Sequence, residues 1–281
     1  MPRLIHSMAR AIVRTCPPAA NLPKFLSGIR RRFPPTDEEI TVSLPTGGKM
    51  LINPADYVSY YIYMLGLFEG EILRATLSQL NEGDTFFDIG GHFGQYTIAG
   101  GRKIGPTGSV HVFEPGPIQD RYLRRNIDLN DLRNVTVANV ALSDSQGELA
   151  LHTPSFGDIG KSQLVDPATD AEAVRVPVTT LDVYCEQIGI DRIDVMKVDV
   201  EGAEFGVFKG AARVMREFPP NAIFYESVDS LCEAFDHTPE EMHSHLEEAG
   251  YVIHTVVGAE FMPVSAPERQ SLTDFVALRG R

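Results

Sequence analysis

The run Thr85-Phe-Phe-Asp-Ile-Gly-Gly-His-Phe-Gly-Gln-Tyr-Thr97 constrains the fold of this chain more than any other feature. Phe86, Phe87 and Ile89 form the short apolar stretch of a strand covered on both faces. Asp88 lies near its carboxyl end, where open α/β sheets bind their ligands. Gly90, Gly91 and Gly94 permit a tight turn and let a ligand approach the backbone with no Cβ in the way. Strand, acid, glycine turn and helix start together predict a nucleoside-type cofactor site. The plainer alternative is a strand–turn–helix that binds nothing.

Charge separates the candidate cofactors. The dinucleotide fingerprint G-x-G-x-x-G, laid over this turn, places its glycines at Ile89, Gly91 and Gly94, so the first is missing. Asp88 would also stand beside a pyrophosphate, where a carboxylate is unwelcome. S-adenosylmethionine (SAM) has no phosphate, and a carboxylate favours its ammonium and sulfonium groups. A second acid, Glu114, ends the strand Ser109-Val-His-Val-Phe-Glu114. At that position it can accept both hydroxyls of a ribose. The same spacing serves NAD, so Glu114 supports a ribose without choosing between the two cofactors.

A chain of 281 residues with 43% hydrophobic content fits one large α/β domain with an appendage. Residues 1–36 hold seven basic side chains and no acid, so the rest carries about −20 against a total of −13. An acidic body argues against nucleic acid as a partner, because phosphate binding needs a basic surface. Cys16, Cys185 and Cys232 are scattered, which predicts neither a disulfide framework nor a zinc site. His243 and His245, two residues apart on a helix, point in different directions. No apolar run reaches 18 residues, so no membrane-spanning segment is expected, and no secretory pattern opens the chain. A cytoplasmic protein is the expectation; the oligomeric state is left open. Leu4, Ile5, Met8 and Ile12 recur at helical spacing beside Arg3, Arg10 and Arg14. That pattern fits a membrane-surface helix giving peripheral contact, a transit peptide, or a helix packed on the body.

Pro17-Pro18 and Pro34-Pro35 mark residues 1–36 as a leader or linker, leaving 37–281 as the functional domain. Within it, 37–84 reads as a hairpin followed by a cover helix, and 85–281 as the cofactor-binding sheet domain. The hairpin is Ile40–Ser43 and Met50–Ile52 around Pro45-Thr-Gly-Gly48; the helix runs from Asp56 through Leu80 with Tyr57, Tyr60, Tyr61, Tyr63 and Phe68 on it. Strands are predicted at 85–89, 109–114, 135–140, 194–199, 222–226, 251–257 and 274–278, and helices at 118–130, 180–188, 203–215 and 239–249. This alternation predicts an α/β, doubly wound parallel sheet. An insertion follows the third strand, with an extra strand pair at Leu149–His152 and Val174–Val178 and a polar loop at 153–173 expected either to fold over the site or to be mobile.

Five blocks bear a family likeness, the first to the wider class and the other four to one family. Phe87-Asp-Ile-Gly-Gly-His-Phe-Gly-Gln-Tyr-Thr97 resembles the first motif of class I SAM-dependent methyltransferases. Val112-Phe-Glu-Pro-Gly-Pro117, with Leu123 and Asn126, resembles the second motif of the FkbM family, and Val140-Ala-Leu-Ser-Asp144 with Gly147 the third. Val178-Thr-Thr-Leu-Asp182 resembles the lead-in to the fourth strand. Met196-Lys-Val-Asp-Val-Glu-Gly-Ala-Glu204, with Gly210, resembles the distinctive K-x-D-x-E-G-x-E block. From about Ile40 to Leu278 the chain thus resembles the FkbM family. The resemblance implies a Rossmann-like seven-stranded sheet with the last strand antiparallel, SAM as methyl donor, and a hydroxyl of a sugar, glycan or polyketide as acceptor. It implies Asp88, Gly90 and Gly94 around the methionine part, Glu114 on the ribose, and Asn139–Ala141, including Val140 and Ala141, near adenine; Gly91, His92 and Thr97 of the same segment are further cofactor-binding candidates. The family turn usually reads G-A-N-x-G, whereas this chain has Gly90-Gly-His-Phe-Gly94.

A methyltransferase must align acceptor oxygen, methyl and sulfur, and an aliphatic hydroxyl needs its proton taken during attack. Asp199 ends the fourth predicted strand and Glu226 the fifth, so both are expected in the crevice, as metal ligands for Mg²⁺ or as a metal-free pair. Glu201 and His92 are the further catalytic candidates. The rival readings are a nicotinamide-dependent oxidoreductase and an inactive SAM-binding scaffold protein.

Overall fold

The computed structural model describes residues 2–15, 22–152, 163–165 and 173–280. Helices α1 (Pro2–Thr15) and α2 (Leu22–Arg32) come first, then a hairpin of β1 (Ile40–Ser43) and β2 (Lys49–Ile52), then α3 (Tyr57–Leu65) and α4 (Gly70–Gln79). The alternating part follows: β3 (Thr85–Ile89), α5 (Gln95–Ile104), β4 (Ser109–Phe113), α6 (Pro117–Leu129) and β5 (Val135–Ala138). An inserted sheet is made of β6 (Ala141–Leu142), β7 (Gly147–His152), β8 (Gln163–Val165) and β9 (Val174–Thr179). The chain then continues through α7 (Leu181–Ile188), β10 (Val195–Val198), α8 (Glu204–Lys209), α9 (Ala212–Glu217) and β11 (Ala222–Glu226). It closes with α10 (Asp229–Glu233), α11 (Pro239–Glu248), β12 (Tyr251–Val257), β13 (Glu260–Pro263), α12 (Ala266–Arg269) and β14 (Asp274–Arg279).

Among the described residues the main sheet has the order β13-β12-β14-β11-β10-β3-β4-β5. Strands β5, β4, β3, β10 and β11 are parallel, and β14 inserts antiparallel between β11 and β12. All seven expected strands form, with the last antiparallel, and β13 adds an eighth at the edge. From β3 the chain winds outward through β4 and β5, then returns to β10 on the other side. The switch point therefore lies between β3 and β10, which is where such sheets open a ligand crevice.

Successive residues of β3 feed opposite faces. Phe87 and Ile89 join a core with Met196, Val198, Val207 and Leu246, while Phe86 joins another with Ile52, Leu73, Ile98 and Val110. Each such side chain, buried completely, stabilises by roughly 1.5–3 kcal/mol. The N-terminal hairpin belongs to the second core and is tied to α6 by two asparagines one turn apart. Asn126 Oδ1 accepts from Leu51 N (2.6 Å) while its amide donates to Leu51 O and Phe93 O; Asn130 repeats the exchange with Lys49. The pair stands in for a neighbouring strand on the β2 edge. Local signals set the helix ends: Thr238 and Glu241 form a reciprocal capping box on α11.

Three expectations change in detail. The helix expected over 56–80 is interrupted: Gly66 ends α3 in the left-handed region (φ 98) and Glu69 begins α4 there (φ 47). Gln95 fixes this break, accepting from Phe68 N at 2.9 Å and donating to Phe68 O at 2.8 Å. The helix expected over 203–215 is divided at Gly210, where a Cβ would lie 2.0 Å from Ser143 O, so close packing on that turn breaks it. The third strand stops at Ala138 instead of 140, because the chain leaves for the inserted sheet at Ala141. The expected strand pair of that insertion forms as β7 with β9, but most of the 153–173 loop lies outside the described residues.

Within residues 1–36, the described helices α1 and α2 pack on the body. Leu26 and Ala9 are buried against Tyr60, Tyr61 and Met64 of α3, and Arg10 lies over the Tyr63 ring. The tyrosines of α3 thus mainly hold this cap, although Tyr57 also reaches the cavity below.

Candidate active site

A cavity of about 700 Å³ opens at the carboxyl ends of β3, β4, β10 and β11. It is bordered by the glycine turn, Glu114, the start of the inserted sheet, the 199–201 turn and the α3–α4 break. That size suits a nucleoside-type cofactor together with part of an acceptor.

The glycine turn is shaped by its neighbours. Gly90 has φ 84 and donates from its N–H to Phe113 O; a Cβ there would stand 1.8 Å from Asp199 O. Only glycine lets the turn after β3 touch the turn after β10. His92 is also left-handed (φ 48), a conformation that Asn and His tolerate better than most residues, which accounts for His where the family has Asn. Its ring stacks on Phe93 (4.0 Å between centroids), and Nε2 faces no protein partner. Burial lowers its pKa, so the ring is neutral.

Glu114 is held at both oxygens. Oε2 accepts from His92 N and Oε1 from Gly116 N, each at 2.8 Å. Burial pushes its pKa up to about 7 despite these two bonds. The remaining lone pairs face the cavity, where a ribose diol can donate to them. Val140 and Ala141 line the adjoining apolar wall with Phe113 and Leu142.

Three expected cofactor residues stand behind the cavity wall instead of on it. Asp88, Gly94 and Thr97 do not border the cavity. Asp88 is fully buried and accepts from Thr97 Oγ1 at 2.5 Å, while its Oδ1 has no hydrogen-bond partner. Gly94 begins α5 at φ 93 with Leu123 against it. These residues support the turn, because Asp88 lies on the face of β3 that α5 covers, where Thr97 meets it.

On the opposite side, Asp199, Glu201 and Glu226 all reach the cavity, as expected. Lys197, Glu69, Tyr96 and Gln95 were missed. Lys197 is buried in the otherwise apolar β10, its ammonium 2.8 Å from Asp199 Oδ2 and 4.5 Å from the Tyr96 ring centroid. Burial alone would lower its pKa, but Asp199, Asp88 and Glu69 outweigh that and raise it. Glu226 is pushed to about 9 by burial and then by Asp199 and Glu201. Glu69 is pushed to about 8 by burial and then by Asp199, and Tyr96 donates to it at 3.4 Å. Both are therefore protonated at neutral pH. Glu204, one turn on, accepts from Val200 N at 2.8 Å and fixes the loop that presents Asp199 and Glu201. The K-x-D-x-E-G-x-E block thus divides into an ion pair, a cavity-facing glutamate and a loop clasp.

This donor set does not fit Mg²⁺. Asp199 already pairs with an ammonium, and among the described residues no group of three or more His, Cys, Asp or Glu is arranged for a metal ion. Lys197 takes the place that a cation would have.

SAM does fit. The cavity offers a ribose-directed carboxylate, an apolar adenine wall, and glycines whose missing Cβ atoms keep the turn open. Fold and crevice together define a class I methyltransferase architecture.

Within that class the comparison with known proteins is specific. The methyltransferase FkbM domain model matches residues 88–253, and the chain belongs to this family. It is 31% identical over 167 residues to methyltransferase sdnD of Sordaria araneosa, covering 48% of this chain and 63% of that protein. It is 28% identical to the 2-O-methyltransferase NoeI of Sinorhizobium fredii (40% and 51% covered). To the hexuronic acid methyltransferase AglP of Haloferax volcanii it is 25% identical (53% and 58% covered). The chain thus spans under two thirds of the length of these relatives. Family membership sets aside the oxidoreductase reading.

Proposed function

We propose that this protein transfers the methyl group of SAM to a hydroxyl of a sugar, glycan, polyketide or related small molecule, without a metal ion. The observation that carries this reading is Asp199, whose carboxylate faces the cavity in an ion pair with buried Lys197. Two relatives named for a hexuronic acid and for 2-O-methylation support a sugar-type acceptor.

When bound, SAM supplies a methyl carried on a sulfonium, displaced in line by the acceptor oxygen. Glu114 accepts the ribose hydroxyls, while Gly90, Gly91 and His92 border the methionine part. Val140 and Ala141 receive the adenine edge. On the acceptor side Tyr57 and Phe68 offer aromatic faces, and protonated Glu226 and Glu69 donate hydrogen bonds to acceptor oxygens. Asp199 takes the hydroxyl proton as the new carbon–oxygen bond forms, and Lys197 balances the charge before that transfer. Neutral His92 is the second proton acceptor within the cavity wall.

The test is transfer of labelled methyl from SAM to a panel of glycan and small-molecule acceptors by the wild type and Asp199→Asn. Transfer that Asp199→Asn loses while still binding SAM supports the assignment. Near-normal turnover in both Asp199→Asn and Glu226→Gln would move the proton to His92. SAM binding without transfer to any acceptor would favour the inactive scaffold.

A further inference from the structure

We propose that the cap formed by α1 and α2 is a docking surface for a bilayer containing anionic lipid. Each helix is amphipathic, and only its inner face is used by the fold. On α1, His6 and Ala9 turn inward, whereas Met8 and Ile12, one turn apart, are 59% and 53% exposed. On α2, Leu26 is buried in the cap core and Ile29 packs against it, whereas Phe25 is 49% exposed on the face that carries Lys24, Arg31 and Arg32. Among the described residues, three of the nine exposed large hydrophobic side chains fall on these two short helices.

Charge selects the occupant. Residues 1–36 carry seven basic side chains and no acid, against about −20 on the remainder of a chain whose total is −13. An anionic membrane attracts the cap and repels the body, which orients the protein with α1 and α2 toward the lipid. A cleft of about 370 Å³ beside α2, lined by Ser27, Arg30, Arg31, Pro34 and Pro35, has the charge and room for a lipid phosphate. Arg30 is already braced there, donating to Ala55 O at 2.6 Å. A nucleic acid would use the arginines but not Met8, Ile12 and Phe25. A second copy of the chain would bring two cationic caps together. Interfacial helices combine apolar side chains on one face with basic ones beside them, which is what this surface presents. Through α3 the cap also adjoins the active cavity, since Tyr57 takes part in both.

The test is co-sedimentation of the full chain with vesicles of phosphatidylcholine alone or mixed with phosphatidylglycerol, at low and high salt. Binding to the mixed vesicles that weakens with salt, and little binding to neutral vesicles, is expected. Arg31→Ser with Arg32→Ser should weaken binding roughly 30-fold, each residue near a charged surface contributing about a factor of five. Met8→Ser, Ile12→Ser and Phe25→Ser together should weaken it with the salt dependence retained. Both variants should keep wild-type SAM affinity, which shows that they are folded. No binding of the wild type to anionic vesicles at low salt would overturn the proposal, as would undiminished binding of both variants. Binding of RNA in place of vesicles, or self-association through the cap without vesicle binding, would overturn it too.

Discussion

Replacing Glu114 by alanine tests the cofactor site at the residue on which it turns. In the wild type each carboxylate oxygen is fixed by one backbone N–H, at 2.8 Å from His92 and 2.8 Å from Gly116, so the group is oriented before any ligand arrives. A ribose diol adds charge-assisted hydrogen bonds to an acceptor whose ordering has already been met. Their loss is expected to cost about 2–3 kcal/mol, or roughly 30- to 150-fold in affinity. The pH dependence gives a second reading of the same carboxylate. It titrates at about 7 in the free protein, and the diol favours its ionised form. SAM affinity should therefore fall as pH drops below about 7, with protons released on binding at neutral pH. Titration calorimetry in buffers of different ionisation enthalpy measures both effects. An alanine variant that melts normally and binds SAM with unchanged affinity would refute the reasoning, as would wild-type affinity independent of pH across this range.

Other perturbations reach the remaining parts of the structure. Lys197→Met leaves Asp88, Asp199 and Glu69 around an apolar group, so we expect a loss of about 3–5 kcal/mol of stability, read by urea denaturation. Burial raises Glu114 and Glu204 to about 7, Glu69 to about 8 and Glu226 to about 9, so the folded chain favours their protonated forms. That contribution is complete below the ordinary carboxylate range and is lost progressively as pH rises from there to about 7 to 9; Tm should fall over this span, and Glu226→Gln should flatten its upper end. Leu26→Ala should cost about 2–5 kcal/mol if α2 is part of the body, whereas a free leader would tolerate it. EDTA should leave turnover unchanged, because Lys197 supplies the cation beside Asp199.

Much of the fold was legible because its signals are local. Apolar runs ending in acids gave β3 and β4, and the alternation of strands and helices gave the doubly wound sheet. The interruptions were not legible, because they answer to distant partners. Gln95 clamping Phe68 breaks the helix expected over 56–80, and the Ser143 turn divides the one expected over 203–215. In the site, Glu114, His92, Asp199 and Glu226 lie on the cavity because strand ends and turns face it by topology. Asp88 and Thr97 lie behind it, since strand alternation puts Asp88 on the face that α5 covers, and Thr97 on that helix meets it there. Lys197 left a readable trace, a charge inside the apolar run of β10, but its partner Glu69 comes from the far side of the chain.

The most direct test of the account is to incubate the protein with methyl-labelled SAM and an extract rich in glycans and small metabolites, then locate the label by mass spectrometry. We expect one labelled methyl per S-adenosylhomocysteine formed, carried as an ether on a hydroxyl oxygen, in EDTA, and absent with Asp199→Asn. Label found only on nitrogen or carboxylate, or no transfer by a protein that binds SAM tightly, would contradict it.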